Sequence, residues 1–143
     1  MKKVSVFKTI CWFILACAIF GILNELAYNL FFSLLSFLSE NIKIVRSFLS
    51  YNFLFQALVF FATCMYGSFC SFITFAILPK KSINVGKALI GCGIAWFIYG
   101  LIALALFAID GNFILIVSEI FGGYYLIHYG KTVESGYFDS LQQ

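Results

Sequence analysis

The stretch SFLSYNFLFQALVFFATCMYGSFCSFITFAILP, residues 47–79, contains no charged residue over 33 positions. A second uncharged stretch, ALIGCGIAWFIYGLIALALFAI, covers residues 88–109. A helix needs about 20 predominantly apolar residues to cross the hydrocarbon core of a bilayer. Because an unbroken helix also satisfies its own backbone hydrogen bonds in lipid, both stretches predict transmembrane helices.

The rest of the chain has the same character. Of its 143 residues, 63% are hydrophobic and 10% are charged, whereas about 25% of the residues in a soluble domain are charged. We therefore predict an all-α polytopic membrane protein, a four-transmembrane-helix bundle that forms one integral membrane domain over residues 1–143. The predicted spans cover about 8–28, with a helical extension to 43, then 51–78, 85–109 and 111–129. Since Glu119 divides the fourth span, a three-span chain with a re-entrant last segment is the alternative.

The basic residues predict an orientation. If the first span starts in the cytoplasm, seven of the nine basic residues lie on the cytoplasmic side and two lie outside. The inner seven are Lys2, Lys3, Lys8, Lys80, Lys81, Lys87 and Lys131, and the outer two are Lys43 and Arg46. The positive-inside rule therefore favours both termini in the cytoplasm. These residues form no patch, so we expect no nucleic-acid partner.

The N-terminal segment and the loops predict a location. Lysines followed by TICWFILA resemble the start of a secretory signal, which we expect to remain as the first span. A lipoprotein signal ending at Cys17 is the alternative, but Leu15 departs from the small residue usual there, and the sequence after Cys17 stays apolar. Short loops and the absence of N-x-S/T sites favour a multi-pass protein of a cell membrane, the bacterial cytoplasmic membrane.

Two carboxylates fall inside the predicted spans. Glu25 is the only charged residue between Lys8 and Glu40. On a helix it shares one polar stripe with Gly21, Asn29, Ser33, Ser36, Glu40 and Lys43. A charge facing lipid at mid-depth costs about 3 kcal/mol or more, so we expect the stripe to face protein or water.

The second intramembrane carboxylate is Glu119, which lies in the outer half of the bilayer at a depth similar to that of Glu25. Together with Asn29 and Gln56, the two acids form a candidate ion or partner site. One interpretation is a proton- or cation-binding site, in which neighbouring carboxylates share a proton. The others are acids that are only structural, hydrogen-bonded to residues such as Asn24 or Ser118, and acids that pair with a cationic residue of a partner protein.

Small residues recur at helical spacing in the second, third and fourth spans. Spacings of four and seven residues place small side chains on one face and let helix backbones approach closely. The predicted helix-packing residues are Thr63, Gly67, Ser71, Gly86, Gly93, Gly100 and Gly123.

No pattern indicates catalysis. The chain has no Gly-rich phosphate loop, no HExxH and no GxSxG turn, and its single histidine excludes a His-rich metal site. The spacings of the five cysteines match no zinc or redox motif, so we interpret them as packing residues. We predict that the protein is not an enzyme and has neither a cofactor nor a bound metal.

The remaining function classes involve membrane partners. The prediction is a non-catalytic protein that acts through helix contacts with another membrane protein or with itself: an accessory subunit, or an immunity or exclusion factor. The alternative is a small homo-oligomeric transporter or channel that uses Glu25 and Glu119. A membrane enzyme built from these carboxylates and hydroxyl groups ranks third.

Overall fold

The chain folds entirely into helices over the residues that the structure describes, which confirms the all-α prediction. The structure is a computed structural model that describes residues 5–43, 47, 52–79, 82–107 and 113–135. The helices are α1 (Val6–Asn41), α2 (Asn52–Ile77), α3 (Ile83–Phe107) and α4 (Phe113–Glu134). Residues of the topology and span predictions that lie outside the described residues are Lys2, Lys3, Arg46, Lys80, Lys81, Tyr51 and residues 108–112.

Three helices are long and apolar enough to cross a membrane: α1, α2 over Ala57–Ile77, and α3 over Ile83–Leu106. At about 1.5 Å per residue, the 36 residues of α1 exceed a hydrocarbon core of about 30 Å. Within the described residues α4 does not meet the same standard. It carries Glu119 and the polar and glycine-containing segment GGYY at residues 122–125, which lower its hydropathy.

The four helices pack as a ring in the order α1, α3, α4, α2. The most extensive interface joins α3 to α4, followed by α2 with α4, α1 with α3, and α1 with α2. The diagonal pairs, α1 with α4 and α2 with α3, make few contacts. Consecutive helices α2 and α3 are therefore not neighbours, and α4 fills the space between them.

The α3–α4 interface depends on glycine. A Cβ atom added at Gly93 would lie 2.5 Å from the carbonyl oxygen of Gly123, and one added at Gly123 would lie 2.7 Å from the carbonyl oxygen of Gly93. The backbones touch here because neither residue has a side chain. The same antiparallel register brings Gly86 against Gly130 at one end of the interface and Gly100 against Ile120 at the other.

Hydrogen bonds tie the beginning of α1 to the beginning of α3. The Ser5 amide donates to Asn84 Oδ1 at 2.9 Å, and the Thr9 hydroxyl donates to the same oxygen at 3.1 Å. Because Gly86 also packs against Glu134, the start of α1, the start of α3 and the end of α4 lie at one end of the bundle.

The packed face of α1 lies beside the polar stripe and not on it. Its buried residues are Ala16, Phe20 and Asn24, whereas Glu25 and Asn29 on the polar stripe are exposed, as are Ser33, Ser36, Glu40 and Lys43. Phe20 contacts Gly122 of α4 and lies edge-on to Trp96 of α3, with ring centroids 5.4 Å apart. Burying this large ring in the core turns most of the neighbouring polar stripe outward, so of the two expected environments, protein or water, the stripe is not packed against the other helices.

Candidate functional site

A buried polar contact joins α1 to α4 across the centre of the bundle. The Ser118 hydroxyl donates to Asn24 Oδ1 at 2.8 Å and also lies 2.7 Å from the carbonyl oxygen of Leu115. Tyr66 of α2 interacts with the same hydroxyl. Asn24 is 2% exposed and Ser118 is fully buried. This contact fixes the level at which the two helices meet.

Glu25 and Glu119 each follow one member of this contact, on helices that run in opposite directions. At 1.5 Å per residue, the two acids lie within about 3 Å of the same level along the bundle. Both line one cleft between α1, α3 and α4, with a volume of about 530 Å³. The structure therefore brings the two predicted acids into one site.

The two carboxylates occupy different environments in this cleft. Glu25 is exposed and stands on the rim. Glu119 is only 4% exposed, and its Oε2 atom is buried without a hydrogen-bond partner among the described residues. Ionising a carboxyl group in apolar surroundings is expensive unless it is paired. Glu119 therefore needs a proton, a cation or a hydrogen-bond donor to offset its burial.

Aromatic side chains form the α3 wall of the cleft. Trp96 and Tyr99 line it and meet edge to face, with ring centroids 5.8 Å apart. The ring of Trp96 also packs edge to face against Phe20. The remaining lining residues are Cys17, Ala95 and Leu115. The site thus combines two acids with apolar and aromatic surfaces that a bound cation can contact.

The sulfur atoms come together in a way that spacing along the chain does not indicate. The thiols of Cys17 of α1 and Cys92 of α3 lie close enough to interact, and Cys17 lines the cleft. The cysteines of the described residues are all free. No group of three metal-ligating side chains occurs among the described residues.

Of the other predicted site residues, Asn29 does not line the cleft. Asn29 is exposed farther along α1. Gln56 belongs to α2, but its side chain lies outside the described part of the structure.

Two of the predicted packing residues of α2, Gly67 and Ser71, contact α4. Thr63 and Ser71 are fully buried. The Ser71 hydroxyl donates to the carbonyl oxygen of Gly122 at 2.7 Å, and a Cβ atom at Gly67 would meet the backbone of Ser118. These contacts hold the helix that carries Glu119.

Sequence reasoning named Asn24 and Ser118 only as possible partners of the acids, whereas they bond to each other, and it missed Trp96 and Tyr99. Asn24 had a recoverable signal, since Ala16, Phe20 and Asn24 are spaced four apart and share a helical face. The two aromatic residues had none, because one sequence does not tell which of many aromatic residues in a span face a cleft.

Comparison with protein-family models, with curated proteins and with solved structures finds no match.

Proposed function

We propose that the protein is a small integral membrane transporter that binds a cation at Glu119 and passes it through the cleft past Glu25. The observation that carries this proposal is Glu119, a residue that lines an open cleft and whose Oε2 atom is buried and unpartnered among the described residues. Intramembrane acids are costly and commonly mark ion pathways. A purely structural acid is expected to have a hydrogen-bond donor in place of an open cleft.

The membrane arrangement belongs to the same proposal. We place α4 in the bilayer as the fourth span, since it packs between α2 and α3 and meets α3 through glycine contacts. The end of the bundle that carries Lys8, Lys87 and Lys131 is proposed to face the cytoplasm of a bacterial cell, with both termini there. Impermeant thiol reagents test this in a cysteine-free chain. Ser5→Cys and Ser135→Cys should both resist labelling in intact cells and react after lysis, and labelling of either one in intact cells contradicts the arrangement.

The transport test uses purified protein in liposomes. Charge movement is recorded on solid-supported membranes after imposing a gradient of protons, of sodium or of tetramethylammonium. At least one gradient should drive charge movement above that of empty liposomes. Glu119→Gln should reduce it at least about tenfold, because the uncharged amide cannot pair with a cation.

The matched control lies on the same helix. Glu134 is exposed at the end of α4, so Glu134→Gln removes the same charge away from the cleft and should retain the wild-type signal. Equal signals from the two variants, or no signal from folded protein with any gradient, would overturn the transport proposal.

A second candidate is contact with a partner membrane protein, and the length of α1 favours it. Its C-terminal part exposes large apolar side chains, including Leu30, which is 70% exposed, and Phe37, which is 62% exposed. A second helix seated there would cover them. Affinity purification from native membranes tests this candidate. Co-purification of a second protein that is lost with Leu30→Ser supports it, and recovery of this chain alone counts against it.

A further inference from the structure

The size and chemistry of the cleft narrow the class of cation. Its volume of about 530 Å³ falls within the range of about 300–1,000 Å³ that is typical of small-molecule sites. Calcium takes six to eight oxygen ligands, and magnesium requires near-ideal octahedral coordination. Of the described lining, only Glu25 and Glu119 supply carboxylate oxygens. The cleft is thus too large and too poor in oxygen for a bare divalent ion, and its size suits an organic ligand.

The walls supply the remaining recognition surface. The faces of tryptophan and tyrosine attract cations, and tryptophan does so most strongly. Tyr99 is 57% exposed, so part of its ring is open to an incoming ligand, while Trp96 is held in place by Phe20. Glu119 lies at the back of the same cleft. A cation with an apolar body can therefore contact the acid and the aromatic rings together.

The mouth of the cleft indicates the route of entry. The cleft lies between α1 and α3, and both helices expose large apolar side chains, with Ile22 and Leu26 on α1 and Ile98 and Ile102 on α3 all about half exposed or more. In a membrane-embedded bundle these side chains face lipid. The cleft therefore opens sideways among lipid-facing residues, and a ligand that partitions into the bilayer reaches it directly.

We infer that the cleft binds a lipophilic organic monocation, with the positive centre against Glu119 and the apolar body on Trp96 and Tyr99. The inference rests on the cation-binding function proposed above and specifies its ligand class. Glu25, exposed on the rim, offers the first charge that an entering cation meets.

The test is equilibrium dialysis of radiolabelled tetraphenylphosphonium against the full chain in detergent micelles, with empty micelles as the blank. Saturable binding of one ligand per site is expected. Glu119→Gln should weaken it at least about tenfold, and Trp96→Leu should weaken it about threefold to tenfold. Glu134→Gln should leave it unchanged. Helicity and elution volume of each variant show whether it is folded.

A neutral competitor shows how much of the binding depends on the positive charge and how much on the aromatic body. Triphenylphosphine oxide has a similar aromatic body without the positive charge, and it should displace the labelled cation poorly. Equal competition by the neutral compound, or equal binding by Glu119→Gln and Glu134→Gln, overturns the inference. Should Trp96→Leu be the only variant that fails to fold, Tyr99→Leu replaces it, with the same direction expected.

The outcomes distinguish this inference from the transport proposal. If tetraphenylphosphonium does not bind but charge movement in liposomes depends on Glu119, the ligand class is wrong and transport stands. If it binds through Glu119 but no gradient drives charge movement, the site stands and transport is wrong. If neither is observed with folded protein, both are wrong.

Discussion

Replacing Gly93 with alanine tests the glycine-dependent packing of α3 against α4. The added Cβ atom would lie 2.5 Å from the carbonyl oxygen of Gly123, 2.7 Å from Ile127 Cγ1 and 2.8 Å from the Ile127 amide nitrogen. Two of these three atoms belong to the backbone of α4 and cannot rotate away. Since ordinary contacts begin at 3.4 Å, the helices must separate by roughly 1 Å.

The expected loss of free energy of unfolding follows from this separation of the helices. A gap of about 0.5–1 Å already forfeits a quarter to a half of the dispersion energy of each contact, and overpacking a well-packed interior typically costs about 1–3 kcal/mol. Because α3–α4 is the most extensive interface, we expect Gly93→Ala to lower the free energy of unfolding by about 2–3 kcal/mol.

The assay is unfolding in mixed micelles of increasing SDS content, followed by far-ultraviolet circular dichroism. Gly91→Ala on the same helix is the control. Its Cβ atom would meet only the Phe13 ring, at 3.3 Å and 3.6 Å, and a ring edge can shift. We expect it to change the free energy of unfolding by less than about 1 kcal/mol, aided by the higher helix propensity of alanine. A Gly93→Ala chain that is no less stable than Gly91→Ala would refute the proposed interface.

The Ser118–Asn24 hydrogen bond and the proximity of Cys17 to Cys92 can each be tested. Ser118→Ala removes an interhelical hydrogen bond and should lower the free energy of unfolding by about 0.6–1.7 kcal/mol. The control Ser68→Ala removes only a bond within its own helix and should change this free energy by less than about 0.5 kcal/mol. Equal losses of stability in the two variants would contradict the buried contact. Mild oxidation with copper phenanthroline should form a Cys17–Cys92 disulfide within one chain, seen in the mass spectrum as the loss of two hydrogen atoms. A Cys11–Cys92 disulfide in its place would contradict the packing of α1 on α3.

The helical fold was predictable because its causes are local. Uncharged stretches of sufficient length specify helices in lipid, and the glycines at positions 86, 93 and 100 mark a close approach whatever helix they meet. Their partner was not predictable, because many helices accept a small-residue face. The structure assigns them to α4, which leaves α2 and α3 on opposite corners of the ring.

The site was predictable only in part. A carboxylate in an apolar span is conspicuous, so Glu25 and Glu119 were candidates from composition alone. The polar stripe of α1 is visible in the sequence, but the pattern does not show that the large ring of Phe20 is the side chain that packs into the core. The ring packs against Gly122 and Trp96, a tertiary contact that periodicity does not contain. Asn24 is therefore buried and Glu25 stands on the rim.

The central claim is that acids from α1 and α4 share one cleft, and cross-linking tests it most directly. In a cysteine-free chain, Glu25→Cys with Glu119→Cys is treated in membranes with a short bifunctional methanethiosulfonate reagent. Glu40→Cys with Glu119→Cys is the control, since residue 40 lies about 22 Å farther along α1. We expect an intramolecular cross-link for the first pair and none for the control. A cross-link in the control without one in the first pair would contradict the shared cleft.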